Sequence, residues 1–227
     1  MPTVREFVEA FPQAAAARLD AHSIHLWRIR YAFPLRRSPL LALLAAYLDI
    51  PASDVVLDQD MRGKPRLAAI ASGDGRRPRL EFNWSHSGDY ALIALARDCA
   101  LGVDIERLGK QLRTLEIARR FFDPTEAEAL ASLDPGTRER AFIDLWCAKE
   151  AVLKSVGEGL SFGLARLAFT QRAGADWKLA RVDPALGQTN EWHLVGFAPA
   201  PGYRGALAWR GRDREIMALQ PPDAFFG

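Results

Sequence analysis

The segment from residue 134 to residue 157 constrains the fold of this chain more than any other feature. Asp134 followed by Pro135 is a typical helix start, and Gly157 is a typical helix end. Between them, apolar residues recur at steps of three and four, namely Phe142, Leu145, Trp146, Val152, Leu153 and Val156. This spacing predicts one long amphipathic helix that packs through a single apolar face.

Shorter segments with strand-like patterns lie on both sides of this helix. They are residues 25–29, 80–84, 91–96 and 101–105 before it, and residues 164–170, 177–182, 192–197, 206–209 and 215–219 after it. Helical patterns also occur at residues 40–48 and after the capped start Asp123-Pro124. Strands and helices that mix twice in this way predict an α+β fold with two subdomains, residues 1–108 and residues 109–227.

The composition is that of an ordinary globular protein. Of the 227 residues, 49% are hydrophobic and 26% are charged, so a substantial core can form, and disordered or collagen-like chains are excluded. No apolar run approaches about 18 residues and the first residues lack the order of a secretory signal, which predicts a cytoplasmic protein without membrane segments. Cys99 and Cys147 are far apart, so we expect buried thiols rather than a disulfide or a zinc site.

Positive charge is concentrated between residues 28 and 79. This stretch holds ten Arg or Lys residues against five Asp residues, although the net charge of the whole chain is only +2. A local excess of this kind favours an anionic partner, and nucleic acid, a phosphorylated cofactor and an acidic protein all qualify. A solvated basic face explains the charge equally well at this point.

The sequence Asp104-Ile105-Glu106 follows an apolar strand-like stretch. On a strand, the period of two places both carboxylates on one face and turns Ile105 towards the core. Two adjacent carboxylates repel each other unless a cation lies between them, and Mg²⁺ is the hard cation that prefers oxygen ligands and a phosphate substrate. Taken alone, however, the pattern more often marks two solvated acids.

The long helix supplies further charged residues. Glu150 and Lys154 lie one turn apart on the flank of its apolar stripe, and such a flank borders a cleft. Alone, they also fit an ordinary surface pair. Lys149 falls near the middle of the stripe, where a charge is disfavoured unless it is paired or functional.

Two polar segments precede the Asp104-Ile105-Glu106 motif. Residues 83–89 are predicted to form a polar loop between two apolar strands, in which Ser85 and His86 could contact a phosphate. Neighbouring residues cannot easily face each other, which disfavours a Ser-His nucleophilic pair, whereas a turn held by Asn and Ser side chains stays open. Gly63-Lys64-Pro65 presents one lysine at a constrained bend.

Together these segments resemble the 4′-phosphopantetheinyl transferase superfamily, and within it the longer single-chain Sfp-type members. The matching blocks are Gly63-Lys64-Pro65, residues 82–88 running into residues 102–106, and residues 146–160, which follow the pattern WxxKEAxxKxxGxGL. The resemblance runs from about Arg36 to Leu160. It implies an α+β pseudo-dimer with the active site in the cleft between two similar halves, and a monomeric protein.

The resemblance also implies roles for individual residues. Asp104, Glu106 and Glu150 would hold Mg²⁺, with Glu150 and Lys154 acting in catalysis. The contacts to coenzyme A would come from Arg37, Lys64, Pro65, Ser85, His86, Lys149 and Lys154. The implied reaction transfers the phosphopantetheine arm of coenzyme A to a serine of an acyl, polyketide or peptidyl carrier protein and releases 3′,5′-ADP.

The chain departs from this family between residues 29 and 40, where about a dozen residues that usually form a basic helix are missing. That helix helps to hold the 3′-phosphate of coenzyme A in relatives, and Arg28, Arg30, Arg36 and Arg37 are the candidates to replace it here. Two other functions stay open at this stage. A metal-dependent nucleotide phosphohydrolase would use the same carboxylates, and a nucleic-acid-binding protein would use the basic stretch, although no aromatic interleaving or DNA-binding motif supports the latter.

Overall fold

The computed structural model describes residues 3–61, 63–68, 79–109, 113–158, 163–170 and 177–226. Two parts of the patterns described above fall outside these ranges, namely residues 62 and 69–78 of the basic stretch and Gly159-Leu160 at the end of the last matching block. The helices are α1 (Pro12–Ala16), α2 (Ser38–Leu48), α3 (Thr114–Phe121), α4 (Pro124–Ala131) and α5 (Pro135–Ser155).

The strands are β1 (Val8–Glu9), β2 (Ser23–Arg30), β3 (Leu57–Gln59), β4 (Pro65–Leu67), β5 (Leu80–Ser87), β6 (Tyr90–Arg97), β7 (Leu101–Arg107), β8 (Ala168–Thr170), β9 (Lys178–Arg181), β10 (Trp192–Phe197), β11 (Tyr203–Arg210) and β12 (Glu215–Gln220). With these helices and several sheets, the predicted α+β class is confirmed. In the last third, the predicted strand at residues 164–170 begins instead with a 3₁₀ turn at Leu164–Arg166 and becomes strand β8 only afterwards.

Two larger sheets organise the molecule. One has the strand order β1-β12-β2-β6-β5, and the other has the order β10-β11-β7. β12 runs parallel to both β1 and β2, whereas β7 and β11 are antiparallel. Each sheet therefore contains strands from both sides of residue 108, and the division of the chain there into two subdomains stays a prediction.

The predicted helix starts are confirmed in atomic detail. Asp123 accepts a hydrogen bond from the backbone N–H of Thr125, while the Glu126 carboxylate accepts one from the backbone N–H of Asp123, which together form a capping box. Asp134 caps α5 by accepting hydrogen bonds from the N–H groups of the second and third helical residues. These caps fix where α4 and α5 begin and so determine which residues of α5 face the core.

The polar segment at residues 83–89 is not a loop, which corrects the sequence expectation. β5 continues through Ser87, and the chain reverses only at Gly88-Asp89, where Gly88 adopts φ +56°. Strand geometry persists because the polar residues of β5 pair in register with the buried apolar strand β6, as in His86 with Ala91. Alternate side chains of β5, at positions 83, 85 and 87, then point to one face.

The core lies in layers between the sheets and the helices. One buried cluster joins α5 to the C-terminal strands, a second joins β7, β11 and the N-terminal segment, and a third packs α2 against β2 and β6. Cys99 and Cys147 are buried free thiols, as predicted. Among the described residues, no helix is both long and apolar enough to cross a membrane.

Candidate active site

The candidate site lies where the β5 edge of the larger sheet meets the β7 edge of the smaller one. Side chains of β5 make hydrogen bonds across this junction. Asn83 Oδ1 accepts a hydrogen bond from the backbone N–H of Val103 at 2.8 Å, and Ser87 Oγ accepts one from the N–H of Arg107 at 3.1 Å. These bonds hold the strand that carries the two predicted carboxylates in register with β5.

Asp104 and Glu106 point to the same face of β7, whereas Ile105 is buried in the core, as the alternating pattern predicts. Two β5 hydroxyl groups meet the two carboxylates. Ser85 Oγ donates to Asp104 Oδ1 at 2.8 Å, and Ser87 Oγ donates to Glu106 Oε2 at 2.9 Å. The i, i+2 spacing of the serines therefore matches the i, i+2 spacing of the acids.

Lys154 of α5 is the cation of this cluster. Its Nζ lies 2.6 Å from Asp104 Oδ1 and 3.0 Å from Ser85 Oγ. Burial lowers the pKa of Lys154, but the adjacent Asp104 carboxylate and the charge of Glu150 outweigh burial, so that the pKa is raised above its usual value. Lys154 is therefore positively charged at neutral pH.

Glu150 lies one helical turn before Lys154 and faces the same cluster. Burial and the charge of Asp104 raise the pKa of Glu150 to about 7, against the lowering effect of Lys154. Its Oε1 and the Oδ2 atom of Asp104 are buried and have no hydrogen-bond partner within the described part of the chain. A carboxyl group with a pKa near 7 and an unpaired oxygen is suited to accept a proton or a ligand.

Gly102 explains how α5 comes so close to β7. A Cβ atom at this position would lie 2.0 Å from the carbonyl oxygen of Ala151 and 2.5 Å from the backbone nitrogen of Ser155. Only glycine permits this approach, because both obstacles are backbone atoms of α5. The contact brings the last turns of the helix over β7 and thereby sets the separation between the β7 carboxylates and Lys154.

Lys64 lies at the C-terminal end of α5. Its Nζ donates to the carbonyl oxygens of Ser155 at 3.0 Å and Leu101 at 3.3 Å, where the negative end of the helix dipole favours a cation. Burial lowers the pKa of Lys64 to about 8. Lys64, Pro65 and Lys154 line one cavity of about 210 Å³, together with Trp84 and Glu158.

His86 lies on the exposed side of β5 and stacks on Tyr31, with ring centroids 4.5 Å apart. Trp84 completes this aromatic group, with its ring centroid 5.2 Å from that of His86. Partial burial and the positive charge of Lys154 lower the pKa of His86, while Glu106 acts in the opposite direction. His86 is therefore within electrostatic reach of the cluster.

Lys149 lies in the core instead, and its hydrogen bonds there do not support its predicted contact with the cofactor. The side chain is fully buried, and its Nζ donates to the carbonyl oxygens of Leu164 and Leu167 at 2.9 and 2.6 Å. The Glu126 carboxylate lies 2.8 Å from the same atom. Three acceptors occupy the three protons of the ammonium group, so none remains for a phosphate.

The basic residues near the N-terminus also differ in their roles. Arg28 is committed to the molecule itself, since its guanidinium donates to the Pro199 carbonyl and to Gln220 and lies over the Phe7 ring. Arg37 is exposed immediately before α2. Between β2 and α2, where a basic helix is expected to be missing, the chain forms a short 3₁₀ turn at Phe33–Leu35.

The chemistry of the carboxylates fits a hard divalent cation, although the arrangement is not a finished metal site. Among the described residues, no group of three or more His, Cys, Asp or Glu side chains stands ready to hold a metal ion. The unpaired oxygens of Asp104 and Glu150 are nevertheless hard ligands of the type that Mg²⁺ prefers. In the arrangement seen here, the Lys154 ammonium neutralises Asp104 instead.

Sequence reasoning missed three residues of this site as functional candidates. The sequence places Ser87 and Asn83 in a loop, although they bridge two strands, and it gives Gly102 no role beyond its place in a matching block. A signal existed for the serine, because a Ser-x-Ser spacing on one strand matches an Asp-x-Glu spacing on another. That signal has meaning only once β5 and β7 are known to be neighbours.

Comparison with known proteins identifies the family. A family model for the 4′-phosphopantetheinyl transferase superfamily matches residues 100–208, and a model for the N-terminal part of 4′-phosphopantetheinyl transferases matches residues 37–98. The 4′-phosphopantetheinyl transferase HetI of Nostoc sp. is 33% identical over 183 residues, which cover 80% of this chain and 72% of HetI. This chain belongs to the 4′-phosphopantetheinyl transferase superfamily.

Two other bacterial relatives are similar to this member of the superfamily. The protein slr0495 of Synechocystis sp. is 37% identical over 164 residues, which cover 71% of this chain and 62% of the relative. The 4′-phosphopantetheinyl transferase psf-1 of Bacillus pumilus is 33% identical over 154 residues, or 66% of this chain and 61% of the relative. The matched region therefore spans somewhat less than two thirds of slr0495 and psf-1.

Proposed function

We propose that this chain transfers the 4′-phosphopantetheine group of coenzyme A to a serine of an acyl, polyketide or peptidyl carrier protein and releases 3′,5′-ADP. The observation that carries the proposal is the cluster of Asp104, Glu106, Glu150 and Lys154, assembled from β7 and α5 within the region matched by the superfamily model. Three acids around one lysine suit the handling of a pyrophosphate with a metal ion.

The proposed architecture is a monomeric cytoplasmic protein in which two similar α+β subdomains, residues 1–108 and residues 109–227, form a cleft around the site. Support comes from the location of the cluster at the junction of two sheets. The cavity beside it, lined by the Lys64 bend and the end of α5, supports a binding site for part of coenzyme A at the same junction.

Asp104, Glu106 and Glu150 are the residues proposed to hold Mg²⁺. When bound, the ion would neutralise charge on the pyrophosphate oxygens, including the oxygen of the leaving group. The unpaired carboxylate oxygens of Asp104 and Glu150 support this assignment. Binding of the ion would also offset the burial and the repulsion from Asp104 that together raise the pKa of Glu150.

In the proposed reaction, the carrier serine oxygen forms a bond to the phosphorus on the pantetheine side of the pyrophosphate. The bond from this phosphorus to the bridging oxygen breaks, and 3′,5′-ADP leaves with that electron pair. Glu150 accepts the serine proton directly or through an oriented water. Lys154 steadies the transferred phosphoryl group, since it is charged and lies beside Asp104.

The remaining contacts proposed for coenzyme A come from Lys64, Pro65, Ser85, His86 and Arg37. The shared cavity supports Lys64 and Pro65, and the nearby charges of the cluster support His86. Ser85 already donates its one proton to Asp104 and accepts a hydrogen bond from Lys154, so its contact with a phosphate would require its hydroxyl to rotate. Arg37 is free to bind an anion from its exposed position.

Covalent labelling tests the function directly. The purified chain is incubated with fluorescent coenzyme A, Mg²⁺ and an apo carrier protein, with a carrier serine→alanine variant and a Glu150→Gln enzyme as matched controls. Mg²⁺-dependent fluorescence on the intact carrier alone is the expected result. Hydrolysis of coenzyme A without labelling would instead indicate a phosphohydrolase, and neither labelling nor hydrolysis with any type of carrier would refute the proposal.

A further inference from the structure

Ser87 makes hydrogen bonds beside the carboxylate cluster but has no role in the proposed reaction. It lies at the end of β5, is buried, and accepts a hydrogen bond from the backbone N–H of Arg107 at 3.1 Å. Its hydroxyl donates to Glu106 Oε2 at 2.9 Å. A hydroxyl group has one proton, and the incoming N–H bond from β7 helps to determine where that proton points.

We infer that Ser87 is a positioning residue that holds one oxygen of Glu106 and so orients the carboxylate towards the other acids of the cluster. The inference rests on the proposed function, because it assigns Glu106 a cation to bind. Glu106 is partly exposed, and a long carboxylate side chain that is held at one oxygen loses fewer rotamers when it binds a cation. Ser87 acts through Glu106 and has no assigned contact with substrate.

The pairing of β5 with β7 supports this role. Ser85 and Ser87 stand two residues apart on one strand, and their partners Asp104 and Glu106 stand two residues apart on the other. Both pairs therefore repeat at about 6.7 Å along their strands, so each hydroxyl meets one acid. Ser85 shares its acid with Lys154, whereas the Ser87 bond holds the acid farther from that lysine along the strand.

The chain offers a closely matched control in Ser23. This serine is also buried, donates to the Asp20 carboxylate at 2.7 Å, and accepts a hydrogen bond from a backbone N–H, that of Asp20, at 3.2 Å. It lies at the start of β2, and its hydrogen bonds to Asp20 and Arg214 involve none of the proposed metal ligands. Ser23→Ala removes the same kind of hydroxyl without touching the cluster.

The test measures binding of Mn²⁺, used as a paramagnetic substitute for Mg²⁺, by electron paramagnetic resonance with coenzyme A present. Removal of a group that orients a metal ligand typically weakens metal binding about 10- to 100-fold, so we expect this increase in Kd for Ser87→Ala. Ser87→Thr, which retains the hydroxyl, and Ser23→Ala should both stay within about threefold of wild type. In the transfer assay, Ser87→Ala should raise the half-saturating Mg²⁺ concentration by the same factor and change kcat at saturating Mg²⁺ by less than about twofold.

Each alternative outcome has a defined meaning. An unchanged Mn²⁺ Kd in Ser87→Ala, or equal weakening in the alanine and threonine variants, would overturn the inference, as would a wild-type protein that binds no Mn²⁺. If Ser87→Ala fails to fold, Ser87→Cys replaces it, because a thiol has similar volume, donates weakly and is a poor ligand for a hard ion. A wild-type chain that binds Mn²⁺ but labels no carrier would refute the transferase proposal alone, since the resonance measurement would still decide the role of Ser87.

Discussion

The buried ion pair between Lys149 and Glu126 allows a quantitative prediction. Both side chains are fully buried, and Lys149 Nζ lies 2.8 Å from Glu126 Oε2. Removal of one partner from a buried pair leaves an uncompensated charge and costs about 3–5 kcal/mol. Glu126 would keep its backbone donors Asp123 and Phe169, so we expect Lys149→Met to lower the free energy of unfolding by the lower figure, about 3 kcal/mol.

Urea unfolding at 25 °C measures this loss, and two further variants isolate its cause. Glu126→Gln combined with Lys149→Met removes the buried charge, so it should recover about 1–2 kcal/mol. Recovery stays short of wild type because the Leu164 and Leu167 carbonyls lose a donor and the glutamine NH2 group meets one of the two backbone N–H groups that the carboxylate accepted. The control is Arg113→Met. It breaks an exposed pair with Glu116 and should change stability by less than about 0.5 kcal/mol.

The same variant decides whether Lys149 contacts coenzyme A. Because the three protons of Nζ are already bonded within the core, KM for coenzyme A should stay within about twofold of wild type, per folded molecule. Unchanged stability together with a tenfold rise in KM would refute the structural role and return Lys149 to the cofactor site. A loss of stability below about 1 kcal/mol would refute the magnitude assigned to the buried charge.

Three other predictions test the site and the core. Glu150→Gln should abolish transfer and leave the melting temperature unchanged or raised. Asp104→Asn should also abolish transfer, but it should destabilise the protein by about 1–2 kcal/mol because Lys154 loses its anion. Equal melting temperatures of the two variants would contradict this. Gly102→Ala should destabilise the protein by about 1–3 kcal/mol, because the new Cβ meets the backbone of α5. It should also lower the transfer rate, because it moves Asp104 away from Lys154, and a wild-type melting curve would exclude this clash. Burial lowers the pKa of His25 to about 4 from 6.5, so the unfolded state binds more protons between these values and stability should fall by up to about 3 kcal/mol as pH drops from 6.5 to 4; His25→Gln should remove this part of the slope in urea unfolding at each pH.

Much of the secondary structure could be predicted because its signals are local. The caps at Asp123 and Asp134 and the apolar repeat of α5 lie within a few residues of the atoms that they control. The alternation around Ile105 likewise placed Asp104 and Glu106 on one face before any partner was known. Periodicity is reliable when the strand or helix packs against an apolar surface, which is the case for β7 and α5.

The polar end of strand β5 could not be predicted from the sequence. Its polar residues at positions 83, 85 and 87 resemble a loop by composition, yet they face β7 and bond to its backbone and acids. A strand that meets its neighbour through side chains instead of an apolar face gives no hydrophobic alternation. Residues 83–89 therefore look like a loop in the sequence for a physical reason, and the same reason hides the role of Ser87.

The two lysines of α5 show what the helical pattern predicts and what only the packing reveals. The helical angle correctly placed Lys149 within the apolar stripe and Lys154 on its flank, and a buried charge requires either a partner or a function. The partner, Glu126, belongs to the capping box of the preceding helix α4. Each residue stands out in its own helix, but the local patterns do not show that the two residues pair. The sequence could therefore identify which lysine was unusual, but only the packing of α4 on α5 reveals that Lys149 stabilises the core and that Lys154 alone remains directed towards the carboxylates.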